Sequence, residues 1–221
     1  MVRIFLSLSL FALLMTAVTG AIGFALGDLK TEMVALRDAK QALVDVDKQR
    51  KTNPHDADLQ VARNELASVV ASLERVRTLS SVHRLIGVAT ALIIVFVNSV
   101  SVTYFIGTSR WIKEVCDTYP IGKQAILDSR QAKSASFAWS VVGIATALGM
   151  SALGAASDPS SGNLHTEQWV DWHLASALGG IVLLALAFYQ QWSKIHANQQ
   201  LIGRVLDDVR QVREERNLPV G

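Results

Sequence analysis

Four long apolar runs, separated by charged segments, dominate the chain. They cover 4–26, 85–108, 137–156 and 174–192, and the first two are uncharged from Arg3 to Asp28 and from Arg84 to Arg110. A helix needs about 20 apolar residues to cross the roughly 30 Å hydrocarbon core. Lipid offers no partner to a free N–H or C=O, so each run is read as a transmembrane helix. Trp111, Trp139, Trp169, Trp172 and Trp192 lie near the ends of these runs, at the level of the lipid–water boundary. Residues 1–27, the first span, have a rival reading as a cleaved signal peptide, from the short basic start and the small residues Thr19-Gly20-Ala21. The length of the run favours a retained span that also serves as a signal anchor.

The segment 28–82 has a different period. Leu29, Met33, Leu36 and Leu43 form one stripe, and Leu59, Ala62, Leu66, Val69, Leu73 and Val76 step by three and four in a heptad pattern. Thr52-Asn53-Pro54-His55-Asp56 separates them, so Asn53 is expected to cap the second helix with Pro54 at its first position. The prediction is an antiparallel helical hairpin outside the membrane, its second helix running directly into the next span. Residues 193–221 repeat the pattern with Ile195, Ile202, Val205, Val209 and Val212, and with polar Asn198 on the stripe. This C-terminal amphipathic helix must lay its stripe on its own chain, on a second copy as a coiled coil, or on another protein.

The expected fold class is therefore an all-α integral membrane protein. A four-helix transmembrane bundle is joined to an extramembrane antiparallel helical hairpin and a C-terminal amphipathic helix. Residues 83–192 hold three of the spans, with a basic inner loop at 109–135. That loop carries Arg110, Lys113, Lys123, Arg130 and Lys133, whereas 157–170 has no Lys or Arg. The positive-inside rule then places 109–135, the N-terminus and the C-terminus in the cytoplasm of a cell-membrane protein. The Lys- and Arg-rich hairpin falls outside, which a long segment tolerates.

Composition narrows the function classes. Only 18% of residues are charged and the net charge is +2, so there is no basic footprint for nucleic acid. The single cysteine, Cys116, removes disulfides and cysteine-based metal sites. No nucleophile elbow, phosphate-binding glycine loop or H-E-x-x-H occurs. No charge lies deep in a span, where ion-coupled transporters carry one. Gly143, Ala147 and Ser151 on the third span, and Ala175 and Gly179 with Ser176 and Gly180 on the fourth, are small residues at a spacing that lets two helices approach closely. Asn98, with Ser99, Ser101 and Thr103, is read as an interhelical hydrogen-bonding patch.

Two histidines stand apart. His83 opens the second span and His173 the fourth, and these spans are parallel, so both imidazoles lie near one face of the membrane. Each has a small residue four positions later, Gly87 and Ala177, leaving room beside a porphyrin held by one imidazole on each side. His165 is a spare ligand. The run Ser80-Ser81-Val82-His83-Arg84-Leu85-Ile86 resembles the S-x-x-H-R-x-[ST] run of succinate dehydrogenase membrane-anchor subunits, with Ile86 departing from the Ser/Thr place. The resemblance implies quinone contacts at Ser80 and Arg84 near the inner face, whereas the topology read here puts them outside. The leading expectation is a non-enzymatic structural or assembly subunit of a membrane complex, without a cofactor. It would self-associate or contact other subunits through the hairpin and the C-terminal helix. The alternative is a b-type haem or quinone-binding electron-transfer subunit.

Overall fold

A computed structural model describes residues 1–158 and 166–218. These residues form α1 (Val2–Ala25), α2 (Leu29–Thr52), α3 (Ala57–Thr118), α4 (Gln124–Ala156) and α5 (Val170–Glu215), with a 3-10 turn at Glu167–Trp169 before α5. No strand occurs among the described residues. Helices α1, α3, α4 and α5 each contain a stretch long and apolar enough to cross a membrane.

These four helices pack as a bundle. α3 lies against α1 and α4, and α5 lies against α4 and α1, which leaves α3 and α5 diagonally opposed with little direct contact. The core is a column of Phe5, Ile94, Val97, Phe105, Leu184, Phe188 and Ile195, with the Phe5 and Phe188 rings edge to face at 6.3 Å. The outward faces carry Leu10, Leu85, Leu92, Phe137, Leu148 and Val182, all exposed. Many buried positions are polar instead: Ser9, Thr16, Thr90, Asn98, Ser101, Ser136, Ser140 and Gln191. Polar groups among apolar core residues are stable where the surrounding solvent is hydrocarbon, because inside the bundle they find partners that lipid cannot supply.

Those partners are present. Gln191 Nε2 donates to Asn98 Oδ1 at 2.9 Å, and Ser140 Oγ donates to Gln191 Oε1 at 3.0 Å. Asn98 Nδ2 donates to its own helix at Ile94 O, 2.8 Å away. Ser101 bonds Ser136 and Ser109 bonds Ser129, each at 2.9 Å. Asn98 thus joins α3 to α5 as an interhelical hydrogen-bonding residue. Its amide occupies the space over Gly143, where a Cβ would fall 2.8 Å from Asn98 Oδ1.

Several sequence readings change. The segment 109–135, read as a loop, is helical except at Tyr119–Lys123. α3 continues because Arg110 pairs with Glu114 one turn on, and because Ile112 and Cys116 extend the buried face. The C-terminal helix is not a separate element, since α5 runs unbroken from the fourth span to Glu215. Of its stripe, Ile195, Asn198 and Val205 are buried within the chain together with Leu201, whereas Ile202, Val209 and Val212 are only partly buried. Leu201 and Val205 pack on Ile112, Cys116, Ile121 and Ala125, at the end where α3 and α4 project beyond their apolar stretches.

α2 lies antiparallel along the first part of α3. Lys40 pairs with Glu74, Arg63 Nε donates to Asp47 at 2.9 Å, and Leu36 and Ala39 are buried beneath. The Asn53–Pro54 cap is corrected. Asp56 is the N-cap of α3, accepting from the Asp58 and Leu59 N–H groups at 2.9 and 3.2 Å. Asn53 instead closes α2, donating its N–H to Gln49 O, so Pro54 falls in the turn. A carboxylate two and three residues before two free N–H groups at a positive helix end outcompetes a neutral amide five and six residues before them.

Among the small residues, Gly143 and Ala147 are buried, while Ser151, Ala175 and Gly179 are exposed. The close approach of α5 to α4 is made by Gly180, which faces the Met150 side chain.

Candidate functional site

His83 and His173 stand on the two diagonal helices, and both rings reach the bundle axis at the end where α1 and α4 finish. Their centroids are 6.3 Å apart and their planes are inclined at 75°. Two metal–nitrogen bonds of about 2 Å each, extended to the ring centres, span about 6 Å. The observed separation has that size.

Each imidazole rests on a glycine of a neighbouring helix. A Cβ on Gly23 of α1 would fall 3.0 Å from His83 Cε1, and a Cβ on Gly154 of α4 would fall 3.0 Å from His173 Cε1. Bare backbone lets each ring approach the carbonyl one turn earlier. His83 Nδ1 lies 3.1 Å from Thr19 O. His173 faces the Met150 backbone in the same way, although its buried Nδ1 falls short of hydrogen-bond geometry there. An Nδ1–H donated to a carbonyl fixes the ring and leaves Nε2 as the coordinating nitrogen, the arrangement that orients metal-bound histidines.

The surroundings are small and polar. Thr19 Oγ1 and Thr90 Oγ1 are 3.1 Å apart just below the pair. A Cβ on Gly87 would meet Thr19 Cγ2 at an ordinary 3.7 Å, so Gly87 packs close to Thr19 of α1. Arg84 points outward, donating to Asp158 Oδ2 at 2.5 Å and to Ser81 Oγ at 3.1 Å, and it ties α3 to the end of α4. Ser80 is buried one turn before His83. His165 lies outside the described residues.

The donor set limits the chemistry. Among the described residues no three His, Cys, Asp or Glu side chains gather to hold a metal ion. Two imidazoles on opposite sides of an axis do not make a tetrahedral zinc site. They suit an iron whose remaining four ligands come from its own macrocycle. Cys116 lies far from this pair in the second core cluster, where burial pushes its thiol up and Asp117 and Asp208 add to the effect. That is the environment of an inert thiol.

Sequence reasoning found the two histidines and missed Gly23, Gly154 and the carbonyls they uncover. The signal available was a glycine near the end of each helix that precedes a histidine-bearing span. No protein family, curated protein or solved structure matches the chain.

Proposed function

We propose that this chain is a non-enzymatic membrane subunit for one-electron transfer, holding a b-type haem between His83 and His173. The observation that carries the reading is the pair itself: two imidazoles from diagonal helices, 6.3 Å apart, each seated on a glycine. The group would bring the redox chemistry. His83 and His173 would hold the group through their imidazole nitrogens, and the His83 ring is oriented by its contact with Thr19 O. The proposed setting is a cell membrane, with the histidine pair towards the outer face and both termini in the cytoplasm, following the lysine and arginine distribution.

The test is an absorption spectrum of protein purified in detergent after expression with haem supplied. A Soret band and the sharp reduced bands of six-coordinate low-spin iron are expected. His83→Ala and His173→Ala should each remove the low-spin signature. A colourless protein that stays colourless on titration with hemin would end the reading.

A second reading, a structural or assembly subunit, rests chiefly on the α2–α3 pair. Val34, Val44, Val61 and Val69 are exposed there, whereas Ile195, Leu201 and Val205 of the C-terminal helix are buried inside the chain. Cross-linking in native membranes through cysteines placed at Val44 and Val61 tests it, and recovery of monomer only would remove its support.

A further inference from the structure

The buried positions of the bundle occur twice. On α1, Phe5, Ser9, Ala12 and Thr16 have the spacing of Ser136, Ser140, Gly143 and Ala147 on α4. On α3, Thr90, Ile94, Val97, Asn98, Ser101 and Phe105 match Gly180, Leu184, Ala187, Phe188, Gln191 and Ile195 on α5, step for step. Gly23 and Gly154 follow the matched stretches of α1 and α4 at one interval, and His83 and His173 precede those of α3 and α5 at one interval. The pairs α1–α3 and α4–α5 are two copies of one helical unit, arranged about the bundle axis.

The copies differ at the end away from the histidines. α4 begins at Gln124, about two turns ahead of the position that matches the start of α1. Those turns lay Ala125 and Ile126 on Ile112, Cys116 and Leu201. In the other copy, the counterparts of these three residues are Ile202, Leu206 and Trp111. They close one end of a groove of about 620 Å³ that passes Met1 and runs along α3 over Gly107, Thr103 and Ser99. One seat is filled by a helix of the chain itself. Among the described residues, no helix covers its twin.

We infer that this groove seats a helix of a second, different membrane protein, laid along α3 beside the start of α1. The filled seat is the first argument, because equivalent walls there hold a helix. The second is the lining. Ser99, Thr103 and Gly107 are exposed and stand one turn apart along the groove. Small residues at every fourth position let another backbone approach closely, and a Cβ on Gly107 would meet nothing within 4 Å. The third is the level of the groove. Ser99 to Gly107 lie in the uncharged run, whereas Trp111, Ile202 and Leu206 lie beyond it. A helix crosses that boundary without a break, as α4 does with Asp128, Arg130 and Lys133 ahead of its apolar run. The partner helix therefore carries small residues against α3 inside the membrane, and an amphipathic end with an apolar residue where Ile126 stands in the filled seat. A second copy of this chain does not fit. A two-fold pair would set recess against recess, and a head-to-tail contact would leave one seat open at the end of a growing array. The groove lies at the opposite end of the bundle from His83 and His173, so the inference stands apart from the haem reading.

The experiment uses the full chain in its native membranes, in a Cys116→Ala background, with a photoreactive maleimide on Gly107→Cys. Irradiation should give one discrete protein adduct. The same label on Gly149→Cys, at an equally open glycine of α4 outside the groove, should give a severalfold weaker one. The deciding variant carries a copy of residues 124–131 ahead of Met1, which continues α1 in the register of α4 and supplies the missing turns. With the seat filled from within, the Gly107 adduct should fall severalfold, whereas the same eight residues in scrambled order should leave it unchanged. Purified in detergent, the in-register extension should also unfold at a higher temperature than the scrambled one, because it covers Trp111, Ile202 and Leu206. Label recovered on lipid alone, equal adducts from both positions, or an adduct consisting of a second copy of this chain would overturn the inference. So would extensions that behave alike in yield or in unfolding temperature.

Discussion

At the scale of single residues, the bundle depends on glycines that admit a polar side chain to bare backbone. Gly143 is the clearest case. Gly143→Ala places a methyl carbon 2.8 Å from Asn98 Oδ1 and must displace the amide that holds Gln191. Overpacking of this kind costs about 1–3 kcal/mol. Thermal unfolding in detergent should show the loss, and the double variant with Asn98→Ala should lose less than the two single variants together. Cys116 gives a second expectation. Its thiol is buried and its ionisation is pushed up, chiefly by burial, so alkylation at neutral pH should be slow in the folded protein and should rise with pH as the thiolate forms. Fast labelling at neutral pH would contradict the packing of Cys116 on Leu201 and Val205. Neither Gly143 nor Cys116 declares its environment in sequence. A small residue at every fourth position signals close packing, but whether Gly143 receives a helix backbone or an asparagine depends on which helix faces it.

At the scale of elements, the helices outrun the spans. α3 is 62 residues long and carries one continuous backbone from Asp56 to the second core cluster, with His83 partway along it. Its start depends on Asp56, which satisfies two otherwise free N–H groups. Asp56→Ala should cost about 1 kcal/mol and speed hydrogen exchange at Asp58 and Leu59, whereas Asn53→Ala should leave those amides protected. The α2–α3 pair is held by exposed charges as well as by Leu36 and Ala39. Lys40, hydrogen-bonded to Glu74, holds that carboxyl below its usual range. A depressed carboxylate adds stability above its unfolded value and loses it as pH falls through the folded one. Protease sensitivity of α2 should therefore increase in acid, and Glu74→Gln should flatten the response. The heptad pattern was enough to read α2 and the first part of α3 as partners. It was not enough to choose the cap, because Asn53 and Asp56 are both good cap residues and only the path of the turn selects between them.

At the scale of the whole molecule, four helices long and apolar enough to span a membrane enclose a mixed interior of apolar and hydrogen-bonded polar side chains and carry apolar exteriors. If both termini lie in the cytoplasm, as proposed, a cysteine at Val44 in a Cys116→Ala background should react with an impermeant reagent in intact cells. A cysteine at Val209 should react only after permeabilisation, and the opposite pattern would reverse the orientation. What the sequence determined by itself was the number and extent of the apolar runs, the helical period of the segments between them, and the place of His83 and His173 at matching ends of parallel spans. These are local properties, set by hydropathy and periodicity over a few turns. Tertiary structure alone decided which faces meet: that Ile195, Asn198 and Val205 of the C-terminal stripe are buried within the chain, that Gln191 reaches Asn98, and that Gly23 and Gly154 each receive an imidazole. Such contacts join residues far apart in the chain, and their energy exists only once the helices are arranged around a common axis.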